Sequence, residues 1–160
     1  MSRANLMAGT STEGDRAMRI ERLGPGDEER VLAAADLFDD APDPAWTAAF
    51  FARDGHHLLM AFEGERAVGF VSGVETIHPD KGIELFVYEL GVHEDHRRKG
   101  IAGALLDELE AIAAAQGCHG LWVATESDNV AALATYRSAS YTPPEPCVVL
   151  VRELGEPGEG

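Results

Sequence analysis

Cysteine is scarce in this chain of 160 residues: Cys118 and Cys147 are the only two. Two thiols cannot frame a small disulfide-stapled scaffold, and the natural expectation is a reducing, cytoplasmic setting. Basic residues are also few. Thirteen Lys and Arg stand against 28 Asp and Glu, a formal net charge of −15. A surface so short of cations is ill suited to tracking phosphate backbones, so nucleic acid is not the expected partner. Cationic partners or substrates are favoured instead. Long apolar runs are missing: no stretch approaches the roughly 20 residues that cross a bilayer, so no membrane role is expected. The opening Met1-Ser2-Arg3-Ala4-Asn5 lacks the apolar core of a secretory signal. Aromatics are only 7% of the chain, yet its apolar fraction of 45% is ordinary for a globular protein. The length suits one domain, because cores usually split only above roughly 250 residues.

Residues 1–17, rich in Ser, Thr, Gly and Ala, read as a loose tail, 18–154 as the folded domain and 155–160 as a frayed end. Met18–Leu23 alternates like a half-buried strand. After Gly24-Pro25-Gly26-Asp27, Glu28–Phe38 is expected as a helix with Val31, Leu32, Ala35 and Phe38 inward. Asp43-Pro44 joins a capping carboxylate to a residue suited to the first turn. It predicts a second helix, with Trp46, Ala49 and Phe50 inward and Gly55 closing it. His57–Phe62 and Ala67–Val74 flank a turn at Glu63-Gly64-Glu65-Arg66, which is a hairpin signal. Thr76–Gly82 reads as a polar loop, and Ile83–Val92 as the longest strand, with Gly91 hinting at a bulge. Ile101–Gln116 carries Ile101, Leu105, Leu109 and Ile112 on one stripe and stops at Gly117. Leu121–Ala124 reads as a buried strand, Asn129–Ser138 as a short helix and Cys147–Val151 as the last strand. This order predicts an α/β (α+β) fold, a mixed central sheet with helices on both faces.

Chemistry gathers in one segment. Arg97-Arg98-Lys99 is the only cluster of three basic residues, and it leads through Gly100 into the helix at Ile101-Ala102. A helix start presents unpaired N–H groups and the positive end of its dipole, and small residues let a phosphate approach. The plain alternative is a solvated basic turn that caps a core helix. Neither G-x-G-x-x-G nor G-x-x-x-x-G-K-[ST] occurs, which points away from the nucleotide folds.

Arg97-Arg98-Lys99-Gly100-Ile101-Ala102 resembles the Q/R-x-x-G-x-G/A signature of the GNAT superfamily of N-acetyltransferases. The resemblance runs through the whole folded chain. Within that superfamily, Tyr88-Glu89-Leu90 leading into His96–Ala102, Arg22-Leu23-Gly24-Pro25 and Ala35-Asp36-Leu37-Phe38 are most similar to aminoglycoside 3-N-acetyltransferases of the first type. It implies the GNAT fold, with acetyl-coenzyme A in a cleft between two splayed parallel strands, here Phe86–Val92 and Leu121–Thr125. A bulge near Gly91 would cause the splay. The main chain at Leu90, Gly91 and Val92 would then face the pantetheine arm. Arg97, Arg98, Lys99, Gly100, Ile101 and Ala102 would take the diphosphate. Asn129 and Ala132 would complete the cofactor contacts, and Tyr136 would stand beside the thioester sulfur.

Acetylating an amine from a thioester needs three aids: a base for the amine, a donor for the oxyanion and an acid for the departing thiolate. A main-chain N–H near Gly91 or Val92 suits the oxyanion, and Tyr136 suits the acid, unless it is a plain core tyrosine. Glu89 is the first choice of base, with Glu84 and Glu75 able to share the task. Glu89 is equally readable as a carboxylate that only attracts the amine. Strand alternation is expected to turn Glu89 away from the face of Tyr88 and Leu90. An acidic acceptor site is expected from Asp36, Asp39 and Asp40, beside the capping Asp43, with Glu75, Glu84, Glu89 and Glu145. A compact polycation such as an aminoglycoside fits it.

No metal is expected. His93 and His96 lack a third ligand, and His56-His57 reads as an exposed pair. Both cysteines read as core residues. One departure from the superfamily pattern stands out: Ser140-Tyr141 replaces the usual Gly-aromatic pair, ahead of a rigid Thr142-Pro143-Pro144-Glu145-Pro146. An exposed final strand would offer an edge for a homodimer. Other acceptors remain open (a polyamine, an amino acid, a protein N-terminus), as does a non-catalytic acyl-coenzyme A-binding protein.

Overall fold

The computed structural model describes residues 17–155; of the expected tails, all but Ala17 and Gly155 lie outside them. One sheet runs in the order β1 (Met18–Leu23), β2 (His56–Glu63), β3 (Arg66–His78), β4 (Gly82–Val92), β5 (Leu121–Val123). The first four strands form an antiparallel meander, and β5 joins β4 in parallel. Helices α1 (Glu28–Ala33) and α2 (Pro44–Phe51) connect β1 to β2, α3 (Ile101–Ala115) makes the parallel crossover, and α4 (Val130–Ser138) follows β5. This is the expected mixed sheet.

Each face of the sheet has its own core. Ile101, Leu105 and Leu109 of α3 pack on Leu59, Val71, Leu85 and Val87, with Ile112 partly buried beside them. On the other face, Val31 and Leu37 pack on Leu58, Met60, Phe62 and Phe70. Small residues let α3 sit close: a Cβ at Gly73 would lie 3.2 Å from Leu109 Cδ2, and one at Gly69 3.0 Å from Ile101 Cγ2. Among the described residues, no helix is long and apolar enough to cross a membrane.

Several elements differ from expectation. The first helix stops at Ala33 and resumes as a 3-10 turn over Ala35–Leu37, so Val31, Ala34 and Leu37 are buried instead of Leu32. Phe38 stays partly buried by stacking on Phe70, ring centroids 3.9 Å apart. In α2 the Asp43 carboxylate accepts from the Trp46 N–H as the sequence predicts, but Thr47, Phe50 and Phe51 face inward, whereas Ala49 is exposed and Trp46 is 64% exposed. Thr76–His78 belongs to β3, paired with Gly82–Glu84, so only residues 79–81 turn. β5 is an edge strand, and Trp122 is 45% exposed. Cys147–Val151 forms no strand. It is exposed, Cys147 included, because none of the described residues pairs with it. With it goes the final-strand edge on which a two-fold pairing was expected. His57 is buried at 2% exposure, held 2.6 Å from Glu75, so the exposed histidine pair is corrected too.

The departure at Ser140 has a structural counterpart. The Tyr141 N–H donates to the Tyr136 carbonyl and the Ser140 N–H to the Arg137 carbonyl, the paired bonds of a Schellman helix end. Such an end puts its penultimate residue in the left-handed region, where glycine is favoured; Ser140 sits there at φ 65°. The accompanying apolar contact is made by two rings, Tyr136 and Tyr141, 5.2 Å apart and edge-to-face. A left-handed residue with a Cβ costs about 1–2 kcal/mol, partly offset by the extra unfolded-state freedom of glycine. Ser140→Gly is therefore expected to stabilise the fold by about 0.5–1 kcal/mol, measured by urea unfolding.

Candidate active site

The site begins with one extra residue in β4. Ser72 pairs with Glu89, but its neighbour Gly73 pairs with Val87, so Tyr88 has no partner on β3 and forms a bulge. The bulge is therefore at Tyr88, not at Gly91. Alternation is reset there. Leu85 and Val87 point into the α3 core, and after the bulge Leu90 and Val92 pack against that same core. Glu89 and Gly91 are thereby turned to the α1–α2 face, the face of Phe86 and Tyr88. This overturns the expectation that Glu89 faces away from Tyr88.

Gly91 is needed for a close approach. A Cβ there would lie 2.5 Å from the Leu37 carbonyl oxygen and 2.7 Å from Phe70 Cε1. The link between α1 and α2 rests on this gap. Two residues further along it, the Asp39 N–H donates to Glu89 Oε1 at 3.0 Å. Burial holds the Glu89 carboxyl above the ordinary carboxylate range, and the charges of Asp39 and Asp40 push the same way, against the pull of the Asp39 N–H. Glu89, Asp39 and Asp40 are thus brought together.

The other carboxylates are dispersed. Glu84 shares the face of Phe86, with its carboxylate 4.0 Å from His119 Nε2. Glu75 lies on the opposite face, against His57. Asp36 is exposed, 3.8 Å from the His93 ring. Glu145 is exposed in the segment that follows Tyr141, outside any element.

The bulge also ends the parallel pairing. β4 and β5 are joined only at Leu85–Leu121, Phe86–Trp122 and Val87–Val123. Beyond Val87, β4 continues for five residues to Val92 without a strand on that side among the described residues. At its far end comes the basic loop. Arg97, Arg98, Lys99 and Gly100 are exposed, Arg98 and Gly100 hold φ of 62° and 80°, and no side chain caps α3. The first-turn amides, Ile101 and Ala102 among them, lack helical acceptors for the general reason that any helix start does. The loop is pinned from behind: His96 is buried with Nε2 3.0 Å from Glu63 Oε2, Arg66 donates to His93 Nε2 at 2.9 Å, and Arg97 Nε donates to the Val92 carbonyl.

Tyr136 is buried on α4 against the α3 core, with Ala132 packed partly buried on the same side. Burial raises the Tyr136 phenol above its usual value, and Tyr141 beside it is pushed up to about 12 by burial, Tyr136 and Glu110. Asn129 caps α4, its carboxamide oxygen accepting from the Ala132 N–H at 3.1 Å. Half-buried Cys118 has its thiol pushed up by burial and by Glu75, which makes it a poor nucleophile.

The acetyltransferase (GNAT) family model matches residues 26–141, which includes every element from α1 to α4. The chain belongs to the GNAT acetyltransferase family. An acetyltransferase of Pectobacterium atrosepticum is 38% identical over 64% of this chain and 68% of its own length. Acetyltransferases of Sodalis glossinidius and Yersinia pestis are 36% and 41% identical, over 51% and 59% of their own lengths. Among solved structures, an aminoglycoside acetyltransferase from a soil metagenomic sample, in complex with sisomicin, superposes with a TM-score of 0.79. It is 20% identical, covering 86% of this chain and 97% of its own. An aminoglycoside N-acetyltransferase, AAC(6')-Iy, in complex with CoA gives 0.77 at 17% identity, covering 90% and 99%. At such identities the likeness is one of fold.

GNAT acetyltransferases draw their acyl group from acetyl-coenzyme A. The residues present fit that group. An uncapped helix start behind an exposed basic loop suits a diphosphate, and the unpaired edge of β4 suits an amide-bearing arm. In this GNAT chain the position of the bulge and the His96–Glu63 tie are the features that sequence reasoning missed. The bulge's position left no clear signal, because Phe86 and Tyr88 make the even positions apolar too, in phase with Leu90 and Val92. The tie left none either.

Two outcomes follow. By carboxyl-carbon NMR, Glu89 should titrate above the ordinary value of about 4.3, and Asp40→Asn should lower its midpoint. Because the folded-state value is raised, protonated Glu89 favours the fold at low pH, and that contribution is lost as pH rises through the folded midpoint. Gly91→Ala should cost about 1–3 kcal/mol in urea unfolding, since Leu37 and Phe70 must give way.

Proposed function

We propose that this chain transfers acetyl from acetyl-coenzyme A to a primary amine of a cationic small molecule, an aminoglycoside being the acceptor that fits best, at its 3-amino group. The supporting observation is the joint placement of Glu89, Asp39 and Asp40 where β4 parts from β5. A cationic amine is attracted to that cluster, and Glu89, with its carboxyl raised toward neutrality, is suited to accept the amine proton. Bound acetyl-coenzyme A supplies an acetyl group activated as a thioester. Arg97, Arg98 and Lys99, with the amides of Gly100, Ile101 and Ala102, hold its diphosphate. The edge at Leu90, Gly91 and Val92 would take its arm, with a main-chain N–H there as the donor for the acetyl carbonyl oxygen. Raised by burial, the Tyr136 phenol keeps its proton at neutral pH and can give it to the leaving sulfur. Asn129 stands at the start of α4, where its carboxamide oxygen serves the cap and its NH2 group would donate to the pantetheine arm.

Of the remaining carboxylates, Glu84 shares a face with Glu89 and can extend the acceptor wall. Asp36 and Glu145 would contribute only long-range attraction, and Glu75, behind the sheet, none at close range. The test is thiol release from acetyl-coenzyme A with a panel of gentamicin-type drugs, spermidine, amino acids and peptides. Aminoglycosides should turn over, and NMR of the product should place the acetyl on the 3-amino group. Turnover confined to another amine would replace the acceptor, and no turnover with any would remove the enzymatic reading. Tyr136→Phe should lower kcat by about 100-fold, with little change in KM for acetyl-coenzyme A; unaltered kcat would reject the acid role.

A further inference from the structure

The α1–α2 face carries an aromatic array that the reaction has not used. Phe86 and Trp122 are register partners on β4 and β5, their ring centroids 4.3 Å apart and tilted by 33°. Tyr88 meets Phe86 edge-on at 5.6 Å. In a chain with 11 aromatic side chains in all, from six Phe, two Trp and three Tyr, three stand together on this one surface. Tyr88 is 70% exposed and Trp122 45% exposed. Neither belongs to either core, so packing does not account for them. Tyr88 is also the bulge residue, which puts two consecutive side chains, an aromatic ring and the Glu89 carboxylate, on the same face.

Around the rings stand carboxylates. Glu84 lies two residues before Phe86 on the same face, and Glu89, with Asp39 and Asp40 beside it, lies at the other end. An aromatic surface with anionic rims recognises a particular kind of cation. It must carry its charges on the edge of a ring whose C–H face can lie on indole, and its ammonium groups can then reach the rims or sit over a ring face.

We propose that Phe86, Tyr88 and Trp122 form the stacking floor of the acceptor site and select amines carried on saturated rings over open-chain polyamines of similar charge. This rests on the acceptor being bound on the Glu89 face, as proposed above. The floor is a specificity device, with no part in proton transfer, so its loss is read in acceptor affinity.

The test compares the wild type with Trp122→Leu and Trp122→Phe, using gentamicin-type acceptors and spermidine as a competing ligand. Expected for Trp122→Leu is a rise of about 10-fold in acceptor KM. KM for acetyl-coenzyme A should be unchanged, and the inhibition constant of spermidine should shift by less than about twofold. Trp122→Phe should restore most of the loss. Should Trp122→Leu fold poorly, Tyr88→Leu serves, since that ring lies at the surface. Equal weakening of ring-borne and open-chain amines, or none, would overturn the floor while leaving the acetyltransferase reading intact. If the wild type acetylates no amine, the reaction fails instead. The floor is then judged by Trp122 emission in a Trp46→Phe background: saturable change with gentamicin and not with spermidine supports it, and no change overturns it.

Discussion

A single unpaired residue in β4, Tyr88, is the constraint on which the site depends. Were β4 regular, Glu89 would follow Leu85 and Val87 into the core under α3, where an unpartnered carboxylate costs several kcal/mol or stays protonated. The slip returns Leu90 and Val92 to that core and turns Glu89 out to the α1–α2 link, where the Asp39 N–H meets it. The same slip stands where β5 pairing stops, because a bulged strand twists away from its neighbour. Opening the cleft and aiming the carboxylate are one structural event.

Charge is sorted along the same strand. Its exposed end leads into three of the chain's 13 basic residues ahead of an uncapped helix start, while Glu89 on the strand itself meets Asp39 and Asp40 of the α1–α2 link. On the proposed reading, an anionic carrier and a cationic recipient would be drawn to different parts of one opening. Each end is held by packing. The basic loop is tied back through His96 to Glu63, and the acidic link rests on the space left by Gly91.

Much of this was legible beforehand because it depends on local pattern. The stripe on α3, the cap at Asp43 and the start of a helix straight after Gly100 are all set by neighbours within a few residues, and each stands as read. What escaped depends on partners distant in sequence. Glu75 looked equivalent to Glu84, yet adjacent registers put them on opposite faces. Thr76–His78 looked polar enough for a loop and is strand because β4 pairs with it. Cys147–Val151 has strong β propensity but no neighbour among the described residues, and propensity alone does not make a strand. The phase slip from Val87 to Leu90 was hidden because Phe86 and Tyr88 make both phases of β4 apolar, and strict alternation was assumed up to Gly91.

The helix end at Ser140 has an evolutionary consequence. Where a glycine would have closed α4 unaided, here the closure leans on Tyr136 and Tyr141 against each other. A change at position 136 or 141 therefore loosens the end of α4, and on the proposed reading a change at Tyr136 would alter reactivity as well. Lineages that acquired glycine at 140 would be freed from that coupling and able to diversify the ring pair.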